Sequence, residues 1–290
     1  MINITFLSEN KTDNPGCLAE HGLSIYIEAH NRRILFDAGA SDVCIKNAET
    51  LGIDLEKVDS VVISHGHYDH TQGLPAFSEI NKDAEIYIHK DAFGEFYGMD
   101  DGILDEDTCG IIWTAEEKEL LLKRTVLTDG IYKLSEDIII SGEIPNVEGV
   151  EPPEKFYIKC FNDDNEQFLE DNMSHEQFLA IRDRDSEGKS GGIYLFSGCS
   201  HKGIVPVIRY AKELFPGEKI LGLIAGMHLY CVDKDIRSKT IDEILKADVE
   251  MVMPVHCTGI KAICEIKAIM GDKCVVATAG DYFHLPMATE

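Results

Sequence analysis

The sequence predicts a layered α/β fold, and three observations carry that prediction. After Gly191 strand and helix alternate strictly: strand Ile193–Ser197, helix Ile204–Phe215, strand Ile220–Ala225, helix Lys234–Lys246, strand Val249–Val255, helix Ile260–Met270, strand Cys274–Ala277. The N-terminal part opens on hairpin-like strands and then alternates in the same way. Apolar runs that read as strands end repeatedly in histidine-bearing turns, and ligands of layered α/β folds bind at that edge of the sheet. Two halves that each carry strands and then helices can stack as an αββα sandwich, an arrangement that periodicity alone leaves open.

In chain order, Met1 to Leu7 alternates like a strand. Strand Leu23–Glu28, a polar turn at His30-Asn31-Arg32 and strand Arg33–Phe36 follow, then Asp37-Ala38-Gly39-Ala40. Asp42 is placed to cap a helix from about Val43 to Leu51. A turn at Asp54-Leu55-Glu56 leads into the β-branched run Ser60-Val61-Val62-Ile63-Ser64, a helix starts near Leu74, and strand Glu85–Ile88 comes next. Signals between Asp91 and Lys123 are short, although Thr114-Ala115-Glu116-Glu117 reads as a capping box, and Trp113 reads as packing under the irregular insert or else lining a pocket. Tyr132–Leu134 and Ile138–Ser141 read as a hairpin. Glu143 to Asn172, with Pro145, Pro152, Pro153 and many acids, reads as loop or lid. Ser174-His175-Glu176-Gln177 reads as a second capping box that opens a helix to about Arg182. The whole is expected to be one domain over residues 1–290 with an irregular insert near 91–172.

The chain has 290 residues, 44% of them hydrophobic, which is enough for a sizeable core. Lys and Arg number 27 against 52 Asp and Glu, a net charge of −25 that repels nucleic-acid phosphates and anionic membranes. A nuclease would need a basic gripping surface, so that class is disfavoured. The acidic stretches Asp100–Asp107 and Asp163–Asp171 read as solvated faces. No basic, apolar leader pattern stands at the N-terminus, and the apolar run Ile220 to Met227 is sheet-sized rather than membrane-sized. Nine cysteines form no C-x-x-C pair, which suits free thiols in a reducing cytoplasm. The expected partner is a small, anionic molecule, with no nucleic acid and no membrane; the oligomeric state is left open.

The chemistry concentrates in His65-Gly66-His67-Tyr68-Asp69-His70, directly after the run Ser60–Ser64. His65 and His67 can share one cation, and Asp69 and His70 can turn toward a second. Imidazole and carboxylate donors suit zinc first, then iron or manganese. A histidine-rich surface turn is the bland alternative, and ligand types, spacing and strand-end position together speak against it. Three further strands end in polar turns, at Gly198-Cys199-Ser200-His201, Gly226-Met227-His228 and His256-Cys257-Thr258-Gly259. If those strands run parallel, His201, His228 and His256 emerge on one edge.

These blocks, with Leu35-Phe36-Asp37-Ala38-Gly39, Glu20-His21-Gly22-Leu23-Ser24 and Thr71-Gln72-Gly73-Leu74, resemble the metallo-β-lactamase superfamily. Within it they are similar to the branch labelled dihydropterin-methyl-aminobenzene-phosphate synthase-like. The resemblance thins between Ala92 and Met173. It implies a four-layer αββα sandwich and two divalent transition-metal ions, His65 and His67 on the first, Asp69, His70 and His256 on the second. The usual pattern adds one more His to the first ion and a bridging Asp; here Cys199 stands where Gly-Asp is usual. His201 is the choice for the missing first-ion ligand, and Cys199 either bridges, ligates one ion or packs. His175 competes with His201, its other reading being a solvated first-turn residue.

Two such ions about 3.5–4 Å apart would lower the pKa of a shared water and clamp the attacked group. In that expectation Asp69 orients the hydroxide by accepting a hydrogen bond, and His228 donates to the leaving oxygen or is merely structural. Asp37 suits holding an imidazole by its free N–H. Thr258-Gly259 offers N–H groups to an anion or is only a helix cap. His21 and the loop Glu9–Glu20 form either a substrate wall or an ordinary exposed loop, and His30, His89 and His284 are bystanders. The leading expectation is a metal-dependent hydrolase of a small phosphorylated or ester substrate. The alternatives are a transferase joining a pterin pyrophosphate to an aminobenzoyl ribose phosphate, or a metal-bound ligand sensor. An oxygen-reducing diiron enzyme is disfavoured because a carboxylate usually replaces His67 there, and a β-lactamase because no export signal is seen.

Overall fold

The computed structural model describes residues 2–100, 102–162 and 165–287; Asp101, Asp163 and Asp164 of the two acidic stretches lie outside them, as does the side chain of Asp100. Two large sheets face each other. The first has the order Tyr282–Leu285, Ile2–Ser8, Ser24–Ala29, Arg32–Phe36, Ser60–Val62, Glu85–His89, Thr125–Thr128. The second runs Tyr132–Lys133, Ile138–Ile140, Leu179–Arg184, Ser190–Ser197, Ile220–Ala225, Val252–Pro254. In each, antiparallel pairs on one side give way to parallel pairs on the other.

The strand period of two explains the layering. Ile34 and Phe36 point between the sheets with Tyr194 and Phe196, and the Phe36 and Phe196 rings lie 6.1 Å apart. Their neighbours point outward: Leu35 toward the helices Val43–Leu51 and Leu74–Ile80, Ile193 and Leu195 toward the helices Ile204–Leu214, Lys234–Lys246 and Ile260–Met270. Three apolar cores therefore separate four layers, helix, sheet, sheet, helix, as an αββα sandwich requires. Each fully buried Phe or Ile stabilises this stack by about 1.5–3 kcal/mol relative to exposure.

Parallel pairing also places the site. Ser197 pairs with Ala225 and Ala225 with Pro254, so the turns bearing Cys199 and His201, His228 and His256 leave the second sheet at the same edge. In the first sheet Phe36 pairs with Val62, which puts Asp37 beside Ser64 and the histidine motif. Gln177 ties the sheets together there, its amide donating to the Ile63 carbonyl (2.8 Å) while its carbonyl accepts from Thr128 Oγ1 (2.7 Å).

Four local expectations are corrected. No helix follows Ser174: residues 174–175 turn, and Leu179–Arg184 is a strand. Phe178 and Ala180 face one core while Leu179 and Ile181 face the other, so the two-residue period wins over the capping signature. The segment read as loop or lid contains a hairpin, Tyr157–Asn162 with Asn165–Glu170, which pairs with Phe96–Tyr97. Cys274 makes only an isolated bridge to Val252 instead of starting a strand. Asp42 sits at the start of its helix without capping it, and its carboxylate bonds Lys46 instead (2.8 Å). The Thr114–Glu117 capping box forms as expected.

Candidate metal centre

Two clusters of donor atoms meet where the strand ends converge. In one, ligand atoms of His65, His67 and His201 lie within 4.8 Å of one another; in the other, those of Asp69, His70, Cys199 and His256 do. All seven side chains are buried. The close approach depends on glycine: a Cβ at Gly198 would strike Ser64, and one at Gly226 would strike the Gly198 backbone. Asp37, Ser200, His228 and His256 all take positive φ at these strand ends, a conformation that costs non-glycine residues about 1–3 kcal/mol and clusters at functional sites.

The neighbours of the rings select which nitrogen is free. His70 Nδ1–H donates to Asp37 Oδ2 (2.7 Å), so its Nε2 faces inward. His65 Nδ1–H donates to Ser64 Oγ (2.9 Å), which in turn donates to Asp37 Oδ2 (2.8 Å). His256 Nδ1–H donates to Asn10 Oδ1 (2.7 Å). Carboxylate, hydroxyl and amide partners of this kind fix the tautomer of metal-binding imidazoles. Asp37 thus holds two rings, which is the orienting role the sequence suggests for it.

What remains facing inward is unsatisfied. His67 Nε2 is buried without a hydrogen-bond partner. His256 Nε2 lies 3.0 Å from Asp69 Oδ2 but out of line for a hydrogen bond, so it too is unpartnered. Such groups are expensive to bury unless something else binds them. Nε2 of His65 is 3.1 Å from Nε2 of His201, and Nε2 of His70 is 3.1 Å from the Cys199 sulfur. Donors on one ion with bonds of about 2.0–2.3 Å stand about 3.0–3.7 Å apart, so these gaps match edges of a coordination shell. The residues fit divalent transition-metal ions.

Electrostatics agree with that fit. Burial, then the surrounding histidines, pushes His65 and His201 well below the usual imidazole range; burial and His175 bring His67 down to about 3. Burial also lowers His256 to about 4. These rings are neutral near pH 7, as ligation requires. Burial opposes the charge of Asp69, yet His70, His21 and His256 outweigh it and hold the carboxyl well below its ordinary value. Burial and then Cys257 push the Cys199 thiol well up, so without a cation beside it this group is a neutral thiol.

Several supports carry no local sequence signal. Glu9 is buried and accepts from the His256 N–H (2.7 Å) and from Lys11 Nζ (2.9 Å). Glu176 is buried and accepts the backbone N–H groups of His201 and Lys202 (2.5 and 3.1 Å), which sets the His201 turn. The loop after Glu9 is therefore neither a plain exposed loop nor a free wall, because Glu9 and Asn10 brace His256. His21 lies at the rim, its Nε2 3.4 Å from Asp69 Oδ2. His175 is buried rather than solvated. Its Nδ1 accepts from the Gly66 N–H (3.1 Å) and its Nε2 faces Asp171 (3.1 Å), so both nitrogens have partners. The Thr258 hydroxyl likewise accepts from Met227 N–H (3.1 Å) and donates to the Ala225 carbonyl. Phe156 packs its ring 4.9 Å from His67, 4.7 Å from His201 and 5.6 Å from His228, closing the insert over the first cluster. His30 and His284 bond the Arg182 carbonyl and Asn3, His89 accepts from the Asp91 N–H, and Trp113 donates to the Thr71 carbonyl.

Known proteins show which family the chain belongs to. An uncharacterised protein of Methanocaldococcus jannaschii is 34% identical over 255 residues, 87% of this chain and 89% of the relative. The sequence pattern described as the metallo-beta-lactamase superfamily matches residues 19–140. The chain belongs to the metallo-β-lactamase superfamily. A second M. jannaschii relative, 31% identical over 84% of this chain and 83% of its own length, is named 7,8-dihydropterin-6-methyl-4-(beta-D-ribofuranosyl)-aminobenzene-5'-phosphate synthase. A crystal structure described as a metal-dependent hydrolase of the beta-lactamase superfamily superimposes with a TM-score of 0.80 at 27% identity, covering 98% of this chain and 99% of that one. The metallo-beta-lactamase fold protein YhfI from Bacillus subtilis, at 13% identity and a TM-score of 0.55, covers 97% of this chain and 98% of its own and shares the fold. No helix among the described residues is long and apolar enough to cross a membrane.

Proposed function

We propose that this superfamily chain is a metal-dependent hydrolase whose two donor clusters hold a pair of divalent ions, zinc first, beside a small anionic phosphorylated or ester substrate. The observation that supports it most is the pair of adjoining buried clusters with inward-facing, unpartnered ring nitrogens. His65, His67 and His201 would hold one ion, and Asp69, His70, Cys199 and His256 the other. Bound ions of this kind lower the pKa of a water and draw charge from the attacked group.

The chain's own residues do the rest. Asp69, kept ionised, is acceptor-only and orients the attacking water. A ring nitrogen of His228 lies within 4.8 Å of the Cys199 and His201 donor atoms, where it can donate a proton to the departing oxygen. Asp37, through Ser64 and His70, keeps the rings from turning. Phe156 excludes water from the first cluster. Unpaired thiols throughout suit a reducing cytoplasm.

The second reading is a transferase joining a pterin pyrophosphate to an aminobenzoyl ribose phosphate, favoured by the synthase-named relative. Metal-loaded protein assayed for phosphate release from phosphate esters, for ester cleavage and for pterin-adduct formation separates the two. Hydrolysis that chelation abolishes supports the first reading; adduct without hydrolysis supports the second. Neither product would leave a ligand sensor in place of both.

A further inference from the structure

At the rim, beyond the two clusters, a third set of donors converges. Glu154 Oε2 comes from the insert, and His228 and Cys231 from the turn after strand Ile220–Ala225. Their ligand atoms lie within 4.8 Å of one another. Glu154 Oε2 is 2.9 Å from His228 Nδ1 and 3.6 Å from the Cys231 sulfur. We propose that Glu154, His228 and Cys231 form a separate binding site for one divalent cation of the zinc class.

The contact between Glu154 and His228 carries the argument. At 2.9 Å a carboxylate and an imidazole should share a hydrogen bond, yet the buried His228 Nδ1 has none of acceptable geometry. The two atoms are close but not aimed at each other. The same signature marks Asp69 and His256 in the principal centre, 3.0 Å apart and equally out of line. Donors that approach side by side in this way aim at a common point rather than at one another. His228 is also held at a φ of 48°, a strained backbone that keeps its ring at the rim.

The donor types narrow the ion. Nitrogen, carboxylate and sulfur together suit zinc, whereas magnesium and calcium take oxygen shells. Burial works against the Glu154 charge, but His228, Cys231 and Tyr230 keep its carboxyl below the usual range, ready as a ligand. Burial and Glu154 push the Cys231 thiol up to about 12, so this sulfur gains most from a nearby positive ion. Glu154 stands two residues before Phe156, the ring that covers His67 and His201. An ion at the rim would therefore clip the insert to the sheet edge and keep that ring in place, without requiring the principal centre to be catalytic.

Cadmium, which reports thiolate ligation by its charge-transfer absorption, is the probe. Chelated protein is reloaded with cadmium and counted by equilibrium dialysis and elemental analysis. Wild type should bind one equivalent more than either Cys231→Ser or Glu154→Gln, and Cys231→Ser should lose part of the thiolate absorption. Bound cadmium should also shield exposed Cys231 from iodoacetamide while exposed Cys264 reacts as before. Equal equivalents in all three proteins, with Cys231 alkylated as fast at saturating cadmium as without it, would overturn the site. His67→Ala reports separately: losing an equivalent there while the rim ion stays, or the reverse, tells failure of the principal centre from failure of this one.

Discussion

The two donor clusters are built from different chemistry although they share one sheet edge. His65, His67 and His201 offer three neutral imidazoles, and their own mutual repulsion adds to burial in keeping them uncharged. Asp69, His70, Cys199 and His256 include a carboxylate already ionised and a thiol that a cation would deprotonate. Their braces differ as well. The first cluster leans on Glu176, Phe156 and His175, all from residues 156–176, and the second on Glu9 and Asn10 from the N-terminal loop, while Asp37 braces one ring of each. A neutral set grips a divalent ion less firmly than one with two anionic donors, so the clusters should fill and empty separately.

The sharpest way to break this contrast is Asp69→Ala. It removes the anionic donor and the orienting acceptor together, and turnover should fall by about 10²–10⁴-fold while bound metal drops toward one equivalent or none. Full metal content with full activity in that variant would end the two-cluster reading. His201→Ala should empty only the imidazole cluster, leaving one equivalent by elemental analysis. Unchanged stoichiometry would remove His201 from the ligands.

Braces give smaller effects. Asp37→Asn should weaken the hold of both clusters by about 10–100-fold, seen as easier chelation. Asp171→Asn should act more mildly, and on the imidazole cluster alone, since Asp171 reaches it only through His175 and Gly66. A remote pair sets the floor. Arg184 holds the Asp137 carboxyl below its usual value, so its stabilisation is present above the ordinary carboxylate range and lost as pH falls through the lowered one. Arg184→Gln should cost below about 1 kcal/mol in denaturant titrations, shrink toward zero under acid, and leave metal content untouched.

Most residues that converge at this edge could be named from the sequence because they sit in local motifs. His65 to His70 follow a β-branched run, and His201, His228 and His256 each follow an apolar one, so strand-end position and residue type agree before any contact is known. The layered α/β class followed from the same alternation, whereas the αββα stacking was an expectation from the family resemblance. The braces were not legible. Glu9 meets His256 across 247 residues and Glu176 meets His201 across 25, and an isolated acid in an acidic chain carries no mark of such a partner. The misread helix after Ser174 has a similar cause. Its start has the letters of a capping box, but Glu176 is claimed by the His201 turn, and the residues that follow must alternate between two cores.

That long reach from Glu9 to His256 has a consequence for assembly. The turn that carries His256 receives its backbone partner from near the start of the chain, so the second cluster does not exist in a nascent or partly folded polypeptide. Cations would then favour only the finished structure, adding by mass action about 2.7 kcal/mol of protection when free ion stands at a hundred times its dissociation constant. Metal supply in the cell would thus act as a checkpoint on maturation, and starvation for it would show first as faster turnover of the protein.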